Sequence, residues 1–249
     1  MKAPKAKNKI ELIYALILGV LILVMPHTVY AGTDVNVTVN GGSDTLEILF
    51  TLTILMLLPS IVIMMTSFTR IVIVLSFLRN ALGLQQTPPN QVLIGISLFL
   101  TLFIMYPVIS EINTDAYEPY QAGQITQQQF IDTATVPMRE FMLKQTKSSD
   151  LDMFISLANI DTVDDVSNLP MYVVVPSFIT SELKRAFIIG FLLYIPFLII
   201  DMIVSSTLMS MGMIMLPPAM ISLPFKLLLF VLVDGWALLF KTLIASFNF

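Results

Sequence analysis

Two aspartates lie inside long apolar stretches of the sequence, Asp201 and Asp234, and paired carboxylates in such surroundings could do acid–base chemistry. An intramembrane aspartyl protease would use them in this way, but neither lies in a GxGD-like motif, since Asp234 reads LVDGWAL. The alternative is charge pairing or the lining of a water pathway. We expect Asp201 to pair with Lys226, because both lie near the same end of their apolar runs. Lys241 lies two helical turns after Asp234, too far for a direct local pair.

Four methionines at alternate positions are the second chemical candidate: Met209, Met211, Met213 and Met215. Thioethers select Cu(I), so a copper carrier is one interpretation, although the chain has no cysteine and a single histidine. In a helix, residues i and i+2 lie about 200° apart. The four sulfurs would therefore converge only in an irregular loop or across a ring of identical chains.

A soft apolar seal is another interpretation of the segment 207–218. Methionine is long, unbranched and adaptable, and a hydrophobic constriction can block water and ions by dewetting. Gly212 would give the backbone freedom, and the adjacent Pro217 and Pro218 would stop the preceding helix. A methionine-rich helical turn packed in the core is the simplest alternative.

The composition of the chain indicates a membrane protein. Of its 249 residues 56% are hydrophobic and only 12% are charged, against about 25% charged in soluble domains. The absence of cysteine excludes disulfides, thiolate metal sites and cysteine nucleophiles. The net charge of −4 and the lack of a basic cluster in the body of the chain argue against a nucleic-acid partner.

The N-terminus has the pattern of a signal peptide. Four lysines precede the apolar stretch 12–25, and small residues at Val29 and Ala31 suit a cleavage site. We expect residues 1–31 to be removed, His27 among them, with an uncleaved anchor as the alternative. Residues 32–45, which are polar and contain a Gly-Gly pair, are expected to form a flexible periplasmic lead-in.

Four apolar runs, each near the roughly 20 residues that a membrane-spanning helix needs, organise the rest of the chain. They are residues 46–68, 92–109, 186–206 and 223–247. The segment between the first two contains Arg70 and Arg79 and no acid, whereas residues 110–185 contain eleven acidic and five basic residues. Because positively charged loops stay in the cytoplasm, the pattern predicts a cytoplasmic loop at 70–91 and a periplasmic region at 110–185.

These runs define the expected organisation of the chain after the lead-in. Residues 46–109 form a first hydrophobic helix pair with a cytoplasmic-side loop, residues 110–185 a periplasmic helical region, and residues 186–249 a second hydrophobic helix pair with the methionine-rich loop 207–218. Arg70 and Arg79 are candidates for cytoplasmic-side partner contacts. Glu182, Lys184 and Arg185 are candidates for contacts within or between subunits.

Two short amphipathic helices are expected within the periplasmic region. Met138, Phe141, Met142 and Gln145 share one helical face, with Pro137 at a plausible first helical position. A second face, repeating the same spacing, follows a cap at Ser148-Ser149-Asp150, and the stretch DTVDDVSNLP is then expected to be a loop. The second face consists of Leu151, Phe154, Ile155 and Ala158.

Three long blocks of the sequence resemble the FliP family of flagellar biosynthetic proteins, which includes the matching subunit of injectisome type III secretion systems. The blocks are SFTRIVIVLSFLRNALGLQQTPPNQVLIGISLFLTLFIMYP (Ser67–Pro107), VPSFITSELKRAFIIGFLLYIPFLIIDMIVSSTLMSMGMIMLPP (Val175–Pro218) and ISLPFKLLLFVLVDGWALL (Ile221–Leu239). The resemblance covers the chain from about Leu46 onward. The signal peptide and the segment RNALGLQQTPPNQVL are similar to the flagellar branch of the family.

The resemblance implies an all-α integral membrane protein of the bacterial inner membrane, located in the flagellar basal body. Its broken helical hairpins would assemble in several copies, with FliQ and FliR, into an export gate close to FlhB and FlhA. Unfolded flagellar subunits would pass through the gate, and a methionine-rich loop, here Met209, Met211, Met213 and Met215, would form a gasket in the channel. The resemblance also implies that much of the assembly is raised towards the periplasm.

We therefore expect a gated pore subunit that contacts membrane lipid, uses no cofactor and is not an enzyme. The chain carries no P-loop motif, so it should not hydrolyse nucleotide. The other interpretation beside the copper carrier is a small-solute secondary transporter, for which broken helices with midplane charges are typical. The absence of a repeat between the two halves of the chain weakens that interpretation.

Overall fold

The structure is a computed structural model that describes residues 63–160, 169–213 and 215–247, together with single positions 49, 52, 53, 56, 57, 60, 61 and 166. The expected signal peptide, the lead-in 32–45, most of the first apolar run and most of the DTVDDVSNLP stretch lie outside the described residues. The chain divides into two units, Met1–Ile61 and Val62–Phe249. Within the first unit, the described positions are helical.

The described residues of the second unit form an all-helical fold, as the sequence predicts, with no strand among them. In chain order, the helices are α1 (Phe68–Ala81), α2 (Asn90–Ile112), a π-helical segment (Asn113–Tyr117), α3 (Glu118–Gln121), α4 (Gln127–Gln145), α5 (Ser148–Leu157), α6 (Met171–Ser210), α7 (Pro218–Leu232) and α8 (Gly235–Ala245). The expected cytoplasmic-side loop 70–91 is thus largely helical, since α1 occupies its first half.

Helix α6 organises the unit, because α1, α4, α5 and α7 all pack against it. Its 40 residues correspond to a length of about 60 Å, twice the roughly 30 Å of a bilayer's hydrocarbon core. The expected boundary between a periplasmic region ending at 185 and an apolar run starting at 186 therefore falls inside one continuous helix. The apolar run continues a helix whose first part belongs to the packed core.

The close crossing of α1 and α6 requires a glycine, Gly190 of α6. A Cβ atom added at Gly190 would lie 2.5 Å from Cγ of Phe77, so the phenyl ring occupies the space that any other residue would need. The same ring packs edge-on against Phe187, with ring centroids 5.4 Å apart. Buried apolar side chains of α1, namely Ile71, Val74, Leu75 and Leu78, continue this contact into the core.

Helices α4 and α5 have the faces predicted from their spacing. Phe141, Met142 and Gln145 are buried in α4, and Leu151 is buried in α5. The expected start of α4 at Pro137 is wrong, because the helix begins ten residues earlier, at Gln127. Thr126 forms a capping box there with Gln129, which satisfies free N–H groups at the helix start. Pro137 lies inside the helix on its buried side.

The last apolar run is broken into α7 and α8, which are bent by 64° relative to each other. Asp234 lies between them with a positive φ of 50°, a conformation that stops a helix and that aspartate tolerates better than most residues. Gly235 follows, and the ring of Phe230 fills the place of its missing Cβ atom. Trp236 packs edge-on against Phe230, with ring centroids 5.4 Å apart, so the break is a packed feature.

Two helices are long and apolar enough to cross a membrane, the continuous stretch Asn90–Gln121 and α6. The bent pair α7–α8 adds a third if it counts as one span, judged among the described residues by length and composition. The exposed surfaces of these helices are strongly apolar. They include Phe99, Phe103, Phe187, Phe191, Met202, Phe225 and Leu228.

Candidate functional site

The methionine-rich loop begins with a specific helix-ending motif at the end of α6. The N–H of Met213 donates to the carbonyl of Leu208 at 3.0 Å, and the N–H of Gly212 donates to that of Met209 at 3.1 Å. This pair of bonds defines a Schellman motif, which needs a left-handed residue at its penultimate position. Gly212 supplies it with a φ of +73°. Gly212 was expected to make the backbone flexible, but its left-handed conformation instead forms one specific turn.

The loop ends at the proline pair. Pro217 is the N-cap of α7 and Pro218 is its first residue, where a proline is favoured because the N–H that it lacks has no helical partner. The two prolines thus start α7, whereas the sequence suggested that they would stop α6.

The loop methionines are not packed within the subunit. The side chains of Met209, Met211 and Met213 are exposed, and Met215 is 97% exposed. The alternative of a methionine-rich turn packed in the core of the subunit is therefore wrong. Exposed apolar patches of this kind mark contact or binding surfaces.

An ionic contact joins the helices on both sides of the loop. Nζ of Lys226 in α7 lies 2.6 Å from Oδ2 of Asp201 in α6, and the hydroxyl of Ser222 donates to Oδ1 of Asp201 at 2.6 Å. Lys226 also donates to the carbonyl of Ala81, the last residue of α1, at 3.1 Å, where the helix dipole favours a cation. Lys226 thus links α1, α6 and α7 at the base of the hairpin that carries the loop.

Asp234 and Lys241, the other two expected intramembrane charge contacts, behave differently. Both residues are exposed, and their side chains have no hydrogen bond or ion pair within the described part of the chain. Asp234 acts through its backbone, which forms the break between α7 and α8. The expectation that these two charges make contacts is therefore not met inside this subunit.

Arg70 is a fully buried charge, as is Glu182, and it connects four segments of the described chain. Its guanidinium forms an ion pair with Glu182 of α6, with Nε donating to Oε2 at 2.8 Å. It also donates to the carbonyl and the hydroxyl of Ser246, each at 2.9 Å, and to Oε1 of Gln145 at 3.4 Å. The ring of Phe247 covers it at 3.7 Å from the guanidinium carbon. Burial lowers the pKa of Arg70, and hydrogen bonding and the charge of Glu182 oppose that effect.

This network corrects two sequence-based expectations. Arg70 was expected in a cytoplasmic-side loop and Glu182 in a periplasmic region or at a subunit interface, yet they share an ion pair and both are 0% exposed. Groups in direct contact cannot lie on opposite sides of a membrane, so the topology predicted from loop charges fails for this pair. Because both side chains are fully buried, neither can contact another subunit in this structure.

The remaining predicted residues make partly exposed contacts. Lys184 forms an ion pair with Asp150 of α5, which also accepts a hydrogen bond from the hydroxyl of Ser181 at 2.7 Å. The hydrogen bond from Lys184, followed by that from Ser181, lowers the pKa of the Asp150 carboxyl below its ordinary value. Arg185 donates to Oε1 of Gln145 at 3.2 Å.

Arg79 lies in the last turn of α1 and supports the turn that follows it. It donates to Oδ1 of Asn90 at 2.6 Å and to the carbonyl of Pro88 at 3.3 Å. Arg79 therefore holds the segment QTPPN against α1, whereas it was expected to contact a partner on the cytoplasmic side. The contact leaves the residue half-buried.

Four residues of these contacts were missed by sequence reasoning: Asp150 as an ion-pair partner, Gln145 as an acceptor, Ser222 and Ser246. Gln145 had one signal, since it is a polar residue on an otherwise apolar helical face. Ser222 had another, because it lies one turn before Lys226. Among the described residues, no group of three or more His, Asp or Glu side chains could hold a metal ion.

The fold and the site together define an all-helical membrane protein whose apolar hairpin presents an uncovered methionine-rich loop. The family model of the FliP family matches residues 51–243. The chain is 51% identical to the flagellar biosynthetic protein FliP of Pectobacterium carotovorum subsp. carotovorum over 94% of this chain and 92% of that protein. It is 55% identical to the FliP of Bacillus subtilis (strain 168) over 82% of this chain and 93% of that protein. The chain belongs to the FliP family of flagellar biosynthetic proteins, components of the flagellar export apparatus.

Proposed function

We propose that the chain is a pore-forming subunit of the flagellar type III protein export gate in the bacterial inner membrane. Several copies would form a channel through which unfolded flagellar subunits pass, together with FliQ, FliR, FlhB and FlhA-type components. The region around α4 and α5 would face the periplasm. Membership of the FliP family supports the place in the export apparatus, and the long uncovered apolar helices support assembly in a membrane.

The observation that carries the pore proposal is the exposure of the loop methionines. A single subunit leaves Met209, Met211 and Met215 uncovered although its core excludes water from many other apolar side chains. A ring of such loops would bring the thioethers together around one axis. Long, flexible side chains could then close the channel to ions and move aside for an unfolded chain.

The rigid base of the hairpin supports the same proposal. A seal must present soft side chains on a fixed backbone, because a mobile backbone would open gaps. The Schellman turn at Gly212, the proline start of α7 and the contact between Asp201 and Lys226 provide that fixed backbone. The flexible part of the seal would then be the methionine side chains.

The test uses cells in which the four loop methionines are changed to alanine, with the measurement of small-ion leak, assembly and motility. We expect leak in cells whose gate still assembles, because alanine is too short to close the channel. The matched control is Met153→Ala, which truncates an exposed methionine of α5 far from the loop in sequence. It should neither leak nor lose motility.

Two results would count against the proposal. Failed assembly without leak would show that the loop methionines are packing residues between subunits. Unchanged leak, assembly and motility would show that the loop lies away from the channel.

A further inference from the structure

Methionine is the only oxidisable sulfur in this protein, because the chain has 16 methionines and no cysteine. These thioethers differ sharply in their access to solvent. Met215 is 97% exposed, whereas Met105 is 2% and Met142 is 0% exposed in the core. A soluble oxidant would therefore reach the loop methionines before the core methionines. Met202 and Met220 are also exposed, so the test must assign each sulfoxide to its position. The core residues provide an internal reference within the same chain.

We propose that the methionine-rich loop is a reversible oxidation site, and that oxidation opens the seal. The inference rests on the proposed function, since it concerns the gasket role of the same residues. The oxidant class is a hydroperoxide, with hydrogen peroxide as the simplest member. The thioether sulfur attacks one peroxide oxygen, the O–O bond breaks, and the oxygen is transferred to sulfur. The products are methionine sulfoxide and one water, so sulfur loses two electrons and the peroxide gains them.

The consequence follows from the polarity of the product. A sulfoxide is a strong hydrogen-bond acceptor in place of a weakly polar thioether, and oxidation makes a flexible apolar side chain polar. A constriction that excludes water by dewetting depends on apolar walls. Sulfoxides at Met209, Met211, Met213 and Met215 would hold water in the closed channel, and ions would follow it.

The loop backbone allows this change without unfolding. Gly212 and Pro217 set the turn through main-chain bonds and a proline start, none of which involves a methionine sulfur. No loop methionine belongs to the packed core, so oxidation adds polar oxygens only to exposed side chains. Sulfoxide reductases, one enzyme type for each sulfoxide epimer, can reverse the modification with a dithiol as the reductant. The dithiol is oxidised to a disulfide, the sulfoxide is reduced to the thioether, and the oxygen leaves as water.

The chemical part of the test treats membranes containing the full-length protein, in its assembled state, with hydrogen peroxide. Peptide mass spectrometry then follows sulfoxide formation at each methionine over time. We expect Met209 and Met215 to be oxidised at least several-fold faster than Met105 and Met142. Equal rates at the loop and core methionines would overturn the proposal, because the loop would then have no selective access to the oxidant.

The functional part compares small-ion leak before and after peroxide treatment. The key variant changes all four loop methionines to leucine, which is apolar, similar in volume and not oxidisable. We expect peroxide to increase leak in the natural protein but not in the leucine variant, and treatment with both reductase types to lower it again. The matched control, Met153→Leu, should respond to peroxide as the natural protein does.

The outcomes separate the two proposals. If the alanine variant already fails to leak without peroxide, the proposed gasket itself is wrong. If the alanine variant leaks, but the natural protein with confirmed loop sulfoxides leaks no more than untreated protein, the oxidation proposal alone is overturned. Should the leucine variant fail to assemble, reversal of the leak by the reductases still decides the question in the natural protein.

Discussion

Replacing Arg70 by methionine tests the most heavily connected residue of the fold. All five N–H groups of its guanidinium have acceptors, two on Glu182, two on Ser246 and one on Gln145. Methionine fills similar space but leaves the carboxylate of Glu182 buried without a cation. Removing one partner of a buried ion pair costs about 3–5 kcal/mol. We expect Arg70→Met to lower the free energy of unfolding by about that amount.

A double-mutant cycle separates the pair from the rest of the network. Glu182→Leu alone should also be strongly destabilising, because it leaves the guanidinium unpaired. The double variant should recover much of the loss, since replacing a whole buried pair by apolar side chains is often nearly neutral. Arg70→Lys should fall between the natural protein and Arg70→Met, because lysine keeps the charge but has three donors from one point.

The assay is denaturant unfolding in mild detergent, followed by fluorescence of Trp236, the single tryptophan of the chain. This residue reports on the α7–α8 break through its contacts with Phe230 and Phe240. The matched control is Arg79→Met in the same helix, which loses contacts only to the following turn. Its cost should be about 1.5 kcal/mol, the lower range for a hydrogen bond to a charged group. Additive effects of Arg70→Met and Glu182→Leu would refute the reasoning, because coupled partners cannot be additive.

Three further predictions follow from other contacts. Single charge reversals Asp201→Lys and Lys226→Asp should each reduce assembly, measured by native gel. The double reversal should restore assembly only in part, because a carboxylate at position 226 would face the carbonyl end of α1. No rescue at all would argue against direct pairing. Gly190→Ala should lower the free energy of unfolding by about 1–3 kcal/mol, because the added methyl group overpacks against Phe77. In a Phe77→Leu background, the same substitution should cost less. An equal cost of Gly190→Ala with phenylalanine or leucine at position 77 would contradict the close contact. The pKa of Asp150 is lowered in the folded state, so its contribution to stability is present above the unfolded pKa and is lost as the pH falls through the folded value. Asp150→Asn should therefore reduce the loss of stability at acidic pH, measured as the free energy of unfolding against pH. An unchanged acid dependence would exclude this contribution.

Local sequence patterns predict the structure where a single segment contains all the necessary information. The helical spacing of Phe141 and Met142 predicts the buried face of α4 correctly. The cap expected at Ser148-Ser149-Asp150 is wrong, because these three residues begin α5 and its N-cap is Lys147, with no side-chain cap hydrogen bond. The sequence around Gly212 predicts a helix break, because glycine and proline act on their own backbone. The start of α4 is set by the capping box at Thr126, and Pro137, the expected start, is accommodated inside the helix.

The expectations that failed were those about distant partners. Arg70 and Glu182 are 112 positions apart, and their contact depends on how α1 crosses α6 at Gly190. The loop-charge rule assigned them to opposite sides because it treats each apolar run as a complete span. Helix α6 has 40 residues, more than one membrane span needs. The boundary between a loop and a span that the rule requires therefore falls inside a single helix.

The sequence by itself determined the membrane class, the all-helical fold, the family and the position of the methionine-rich break, because apolar run length, helical period and backbone breakers are local properties. Only the tertiary structure decided that Arg70 meets Glu182, that the loop methionines lie uncovered while Met142 is buried, and that Ser246 and Phe247 enclose Arg70. The physical reason is that burial and pairing arise when distant segments pack. A side chain's partner is then set by the crossing of helices and not by its neighbours in the chain.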